Sequence, residues 1–344
     1  AVVNIPVMVT GRMDNPDLAI EALHNKSTDM IGLGRPLLAD PQLPNKIRKN
    51  QIDKIRPCMS CQDGCLGRLK QAIPISCAVN PACANEKEYK LAPCSKPKKV
   101  LINGGGVAGM EAARVLAERG HIPTLIEATG KLGGSLICGG MPPFKRYDRK
   151  LIRWYEKELE DLNVDIKMNT KVDKTMIKNS DYDTVIVATG AKPIELKIEG
   201  SEKNNVMSAN EAYLNIEKVG KDVAIIGAGL VGAELGLWCA QQGKNVTIVE
   251  LTNLILGGES SMCFANYDML KDLLNFNKVN ILTETKADSV NEEGLIAIDK
   301  KGKQQLIKAD TIVIAVGYIS DKTLYEDIKF IDKDVYVVGN SKNA

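Results

Sequence analysis

The chain has 344 residues, 44% hydrophobic and 26% charged, enough for two or three globular domains at about 100–200 residues each. A formal net charge of +2 leaves no electrostatic footprint for nucleic acid or a membrane surface, and no run of about 18 uncharged apolar residues exists to span a bilayer. Nine cysteines, four of them clustered, speak against a secreted disulfide framework and for a reducing, cytoplasmic compartment with metal chemistry.

Residues 1–57 read as strand, helix, strand, helix. Val2 to Val9 is a short apolar run. Asn15 or Asp14 can cap a helix that starts near Pro16 and runs through Leu18, Ile20 and Leu23, with His24 on its surface. Asp29 to Gly34 is a second strand, and Leu43 to Arg48 begins another short helix. Two βα units cannot close a sheet alone, and these look like the last quarter of a barrel.

Residues 58–97 are rich in cysteine, proline and loop residues. Cys58, Cys61, Cys65 and Cys77 read C-x2-C-x3-C-x11-C. Structural zinc prefers two pairs around a longer loop, whereas three plus one is the grouping of cubane iron–sulfur ligation. Thiolates suit both metals, but only iron–sulfur moves electrons. The expected occupant is a [4Fe–4S] cluster, with zinc or no metal as the alternatives. Cys83 and Cys94 lie off the tight spacing, and Cys138, Cys239 and Cys263 read as core or loop thiols. Lys96, Lys98 and Lys99 form a solvated linker.

From Lys98 the pattern becomes α/β. Lys99 to Ile102 is a strand, Gly109 to Arg119 a helix and Thr124 to Glu127 a strand, with the fingerprint Gly104-x-Gly106-x-x-Gly109 between the first two. The glycines permit a tight turn and close backbone approach to a pyrophosphate at a helix N-terminus, and Glu127 stands where a carboxylate accepts from a ribose. The series recurs over Asp222 to Ile226, Gly232 to Gln241 and Asn245 to Glu250, with Gly227-x-Gly229-x-x-Gly232 and Glu250. Glu250 precedes Leu251 and Thr252, with no arginine nearby; a carboxylate there favours a free 2′-hydroxyl, hence NADH over NADPH.

Two such units most simply hold a flavin and a nicotinamide. Asp183 to Gly190 is a buried strand ending in Ala188-Thr189-Gly190, and Asp310 to Gly317 is its counterpart, both small enough at the end for backbone to pass close to a nucleotide. His121 reads as a loop residue, Trp154 and Tyr155 as core, and nothing supports a Ser/His/Asp or Cys/His nucleophile. The composition leaves the oligomeric state open, a homo-oligomer included.

These pieces, in order, resemble the C-terminal portion of the flavin/iron–sulfur ene-reductases: 2-enoate reductase, 2,4-dienoyl-CoA reductase, the bile-acid-inducible NADH:flavin oxidoreductases and, more distantly, trimethylamine dehydrogenase. The most specific stretch is I-R-P-C-M-S-C-Q-D-G-C-L with S-C-A-V-N-P, Ile55 to Pro81; Gly133 to Lys145 with Leu151 to Leu159 looks closest to the 2-enoate reductase branch. The resemblance implies the terminal βα units of an FMN-binding TIM barrel (1–57), a cluster segment (58–97) and a glutathione-reductase-like pair of domains. In that pair an FAD domain is split into a leading segment (98–192) and a closing segment (310–344), with an NADH domain (193–309) inserted between them. It also implies that Gly11-Arg12 and Gly34-Arg35 meet the FMN phosphate, that Gly133-Gly134, Ala188 to Gly190 and Gly317 border nucleotide, and that Gly339-Asn340 lies against the FAD ribityl chain. Asn340 stands where the family usually has an acid. The implied reaction is NADH-dependent reduction of a conjugated C=C bond in an enoate or enoyl-CoA, with electrons passing from NADH through FAD and the cluster to FMN. An amine dehydrogenase or NADH oxidase, an electron-transfer subunit serving a separate barrel chain, and a zinc-stapled nucleotide-binding module are the other readings. Six earlier barrel strands and the family's proton-donating tyrosine are absent, so the chain is expected to be an internal piece of a protein about twice as long, with its catalytic residues elsewhere.

Overall fold

The computed structural model describes residues 3–259 and 261–344. The chain is mixed α/β, and its two large sheets are wholly parallel. In the first, the order is Asp334–Val337, Thr184–Val187, Lys99–Asn103, Ile122–Ile126, Asp165–Lys167. The central strands are apolar runs because helices cover both faces. On one face Met110 and Ala113 of helix Val107–Glu118, with Leu151, Trp154, Tyr155 and Leu159 of helix Arg146–Asp161, pack on Val100, Ile102 and Leu125. On the other, Ile177, Leu324 and Ile328 pack on Leu101, Ile126, Val185 and Val187. Trp154 and Tyr155 are therefore core, as their amphipathic stretch predicts.

The second sheet runs Asn280–Leu282, Asn245–Val249, Asp222–Ile226, Thr311–Ile314, Val206–Ser208. Helix Leu230–Gln241 covers one face and buries residues all round its circumference, among them Leu235, Leu237, Trp238 and Cys239. A three-stranded antiparallel meander, Thr285–Asn291, Gly294–Asp299 and Gln304–Lys308, closes the other through Ala287, Leu295, Ala297 and Ile307. An antiparallel ribbon of Ala191–Pro193 with Tyr318–Ser320 carries the chain between the two sheets.

This topology corrects one expected boundary. Thr311–Ile314 hydrogen-bonds to Asp222–Ile226 and Val206–Ser208, so it belongs to the second sheet rather than to a segment 310–344 of the first. The inserted unit ends at the ribbon, and Gly317 lies there, its carbonyl accepting from the Ile194 N–H at 3.0 Å. An apolar run ending in small residues looks the same in either sheet; what decides is that each fingerprint strand needs its own parallel neighbour to close the turn.

At the N-terminal end, Met8–Thr10 pairs in parallel with Met30–Gly32. Helix Pro16–His24 connects them, started by proline and by the Asn15 side chain accepting from the Asp17 N–H, yet none of its residues is buried. The expected strand from Val2 to Val9 narrows to Met8–Thr10, and Val2 lies outside the described residues. Among the described residues, no helix is long and apolar enough to cross a membrane.

Candidate functional site

The two fingerprints are built alike, atom for atom. Gly104 (φ +114°) and Gly227 (φ +108°) turn the chain at the strand ends; a Cβ on the first would lie 2.3 Å from the Ala188 carbonyl oxygen, and on the second 2.5 Å from that of Ala315. Gly109 and Gly232 bring each helix down onto its own turn, where a Cβ would sit 1.9 Å from the Gly104 oxygen and 2.0 Å from the Gly227 oxygen. The middle glycines serve a different end. Gly229 has no atom within 4 Å of a would-be Cβ, and Gly106 meets only Gly134 Cα at 3.9 Å. Each is the N-cap residue of a twelve-residue helix and has no side chain to bond the free N–H groups, so backbone donors face open space.

The acidic residues are held in matching fashion. Glu127 accepts from the Gly105 N–H at 2.7 Å with one oxygen and from the Thr129 N–H and Oγ1 at 2.7 and 2.8 Å with the other. Glu250 accepts from the Ala228 N–H at 2.8 Å, and from the Thr252 N–H and Oγ1 at 2.9 Å each. Each carboxylate is thereby fixed at the rim of its turn, with lone pairs left over for a further donor.

Other expected residues converge on the first fingerprint. Gly133 donates its N–H to the Gly105 carbonyl at 2.8 Å, and a Cβ on Gly134 (φ +54°) would lie 2.9 Å from Gly106 Cα. Gly339 reaches the helix start from the far end of the chain, where a Cβ would stand 2.6 Å from Ala108 Cβ, and Asn340 follows it in the same short turn. Ala188 supplies the carbonyl that the Gly104 turn fits. Thr189 is spent elsewhere, donating to the Asp321 carbonyl at 2.7 Å, while the Gly190 carbonyl accepts from the Asp321 N–H.

The four clustered cysteines line one depression with Arg35, Leu38, Met59, Gln62, Gly64 and Ser76. The distant fourth is brought in by backbone: the Ser76 N–H donates to the Gly64 carbonyl at 2.6 Å, and a Cβ on Gly64 would meet Ser76 O at 2.7 Å. Left-handed turns at Ser60 (φ +57°) and Gln62 (φ +62°) fold the first three around the same space. Burial pushes the Cys58 thiol up, opposed by the Ser60 N–H and by the charges of Arg12 and Arg35; burial likewise raises Cys61, opposed by the Asp63 N–H. Among the described residues, no three His, Cys, Asp or Glu side chains come close enough to hold a single ion.

The arginines expected to meet a flavin phosphate turn toward this loop. Arg35 borders the cysteine depression. Arg12 bonds Ser60 Oγ, lies 3.9 Å over the Tyr147 ring and pairs with Asp14 at 3.4 Å, while one of its terminal nitrogens and Asp14 Oδ1 are buried without a hydrogen-bond partner. Gly11 and Gly34 stand in open space.

Sequence reading missed a charged group between the two nucleotide units. Lys145, at the end of the Gly133 to Lys145 stretch, forms an ion pair with Glu234, two residues beyond the last fingerprint glycine. Burial raises Glu234, opposed by Lys145, and raises Asp148 to about 6, with Lys145 opposing and Glu234 adding. A carboxylate in an otherwise apolar fingerprint helix was the available signal, because such a group requires a partner.

Two family patterns match. That of the pyridine nucleotide-disulphide oxidoreductases covers residues 49–181 and 173–342, and that of the NADH:flavin oxidoreductase / NADH oxidase family covers residues 1–54. The cinnamate reductase of Clostridium sporogenes is 49% identical over all of this chain and 51% of its own length. The chain belongs to the 2-enoate reductase-like flavin oxidoreductases. An NADH oxidase of this family, from Thermoanaerobacter brockii, is 35% identical over 100% of the chain and 53% of the relative. A 2-naphthoyl-CoA reductase solved with 2-naphthoyl-CoA superposes with a TM-score of 0.95 at 30% identity, covering 100% of this chain and 52% of that one. The chain thus spans about half the length of these family members. Flavin and pyridine-nucleotide binding are the common property of the matched families.

Proposed function

We propose that the chain is the electron-input part of an NADH-dependent flavin/iron–sulfur enzyme whose parent reduces a conjugated C=C bond in a 2-enoate or enoyl-CoA. The observation that carries this reading is the depression ringed by Cys58, Cys61, Cys65 and Cys77, bordered by Arg35 of the first βα pair and joined by hydrogen bonds to the second dinucleotide unit. When bound, FAD, a [4Fe–4S] cluster and FMN supply hydride acceptance, single-electron passage and hydride delivery to the alkene.

The chain's own residues bind and orient. Gly104, Gly106 and Gly109, with Gly133, Gly134, Gly339 and Asn340, cradle FAD, and Glu127 takes its ribose. Gly227, Gly229 and Gly232 with Glu250 take NADH. The half-buried ion pair of Lys145 with Glu234 sits between the two sites and keeps charge balanced there, and Asp148 beside it can hold or release a proton near neutral pH. Residues 1–57 belong to an FMN-binding barrel whose remaining strands hold the substrate. The names of the cinnamate and 2-naphthoyl-CoA reductases favour a conjugated aromatic acid or its thioester as substrate. The NADH oxidase relative favours a second reading in which oxygen takes the electrons.

The test is anaerobic purification of the chain. Brown protein with iron and sulfide that bleaches on NADH, yet reduces no enoate until the missing barrel is restored, is the expected result. Zinc without iron would sink the relay.

A further inference from the structure

The cysteine loop is fastened to the second dinucleotide unit through one helix start. Asn266, in the first turn of helix Phe264–Phe276, donates Nδ2–H to the Cys61 carbonyl at 2.6 Å and accepts from Gln62 Nε2 at 3.0 Å. Asp63 accepts the N–H of Cys263 at 2.7 Å, so a side chain from the loop supplies an acceptor at a helix start that its own N-cap residue leaves uncapped. Gly67 packs beside the same helix start, where a Cβ would come into contact with Cys263 Cβ at 3.4 Å. The Lys70 ammonium stands 3.8 Å over the Phe264 ring. Cys263 is 2% exposed, Gln62 and Asn266 are half-buried and Asp63 is exposed, so these bonds line the edge of a contact whose buried side is the helix start. The chain segment leading to this contact begins at the second fingerprint: the Leu256 N–H donates to the Ala228 carbonyl at 2.7 Å, and Ala228 is the residue whose N–H is held by Glu250.

We propose that Asn266 and Asp63 are positioning residues that lock the second dinucleotide unit to the cysteine loop, so that loop order and NADH binding support one another. The inference rests on the reading that Gly227 to Gly232 take NADH. Coupling of this kind is reciprocal: a nucleotide that steadies the Ala228 turn must steady the loop, and a loosened loop must weaken the nucleotide's hold by the same factor.

Hydrogen–deuterium exchange on the full chain, with and without NADH, tests it, using Asn266→Ala and the milder Gln62→Ala. NADH is expected to slow exchange at Gly227 to Gly232 and also over Cys61 to Gly67, a stretch outside the fingerprint. Asn266→Ala should speed exchange over Cys61 to Gly67 and Cys263 to Asn266 by about tenfold, the scale of the two partly buried bonds it removes, and erase the NADH effect on the loop while leaving it at the fingerprint. The iron-loaded variant should also give up its metal faster to a chelator. Should Asn266→Ala lose protection in Asp222–Ile226 as well, Gln62→Ala, which removes one of the two bonds, carries the same test at smaller amplitude. Protection of the fingerprint with no variant-sensitive response of the loop overturns the lock. Protection of neither overturns the NADH assignment on which it stands.

Discussion

Replacing Gly229 by alanine tests whether the middle glycine of a fingerprint is kept for the ligand rather than for the fold. Its backbone (φ −65°, ψ 179°) is open to any residue, and nothing lies within 4 Å of the added Cβ. The structural cost is that of alanine against glycine at a helix N-cap, about 1 kcal/mol or less, a shift of under about 3 °C in Tm for a chain of this size. The methyl group, however, occupies the space in front of the uncapped N–H groups of helix Leu230–Gln241. Losing one charge-assisted bond to a pyrophosphate costs about 1.5–3 kcal/mol, hence roughly a 10- to 100-fold rise in Kd for NADH. Calorimetric titration with NADH beside a thermal melt reads both quantities, and flavin content serves as an internal control because the first fingerprint is untouched. Wild-type affinity, or a melt lowered by about 8 °C or more, would contradict this division between ligand and fold.

The third glycine behaves oppositely: Gly232→Ala drives a Cβ to 2.0 Å from the Gly227 carbonyl and should cost about 3 kcal/mol or more, seen as poor expression or a melt lowered well beyond that of Gly229→Ala. Glu250→Gln leaves an amide between two donors, the Ala228 and Thr252 N–H groups, and removes the charge that repels a 2′-phosphate; the NADPH-to-NADH ratio of kcat/KM should rise about tenfold, and an unchanged ratio would show that Glu250 does not face the ribose. Asp148 titrates near 6 when folded against about 3.8 unfolded, so the folded chain binds the extra proton between those values and stability falls as pH rises through that window. Asp148→Asn should therefore gain on the order of 1 kcal/mol at about pH 7, solvent screening at a half-buried carboxyl reducing the full effect, and nothing at about pH 3, checked by denaturant melts at the two pH values.

Both fingerprints were legible in full because their constraint is backbone geometry, and backbone geometry demands glycine. Gly104, Gly109, Gly227 and Gly232 each face a carbonyl that no side chain could tolerate. The convergence of Gly133, Gly134 and Gly339 on the first fingerprint was legible only through resemblance, since their partners lie far away in sequence. Membership of Thr311–Ile314 was not legible: the run carries the alternation-free apolar pattern of any doubly covered strand, and only hydrogen bonding tells which sheet receives it. The ion pair of Lys145 with Glu234 was half visible, as a lone carboxylate among apolar residues with no hint of its partner. Arg12 was expected at a phosphate through resemblance alone, and its contacts to Ser60, Tyr147 and Asp14 were not legible, because a long side chain at a strand end can serve whichever neighbour packs nearest.

The backbone knot between Gly64 and Ser76 has a practical side. It closes the cysteine depression by itself, leaving the stretch from Arg68 to Pro74 as an excursion whose Leu69 is 65% exposed. Lengthening the tip near Ala72, where the chain is already left-handed, offers a place to graft an affinity tag or a fluorophore that would report on the cysteine loop without entering it.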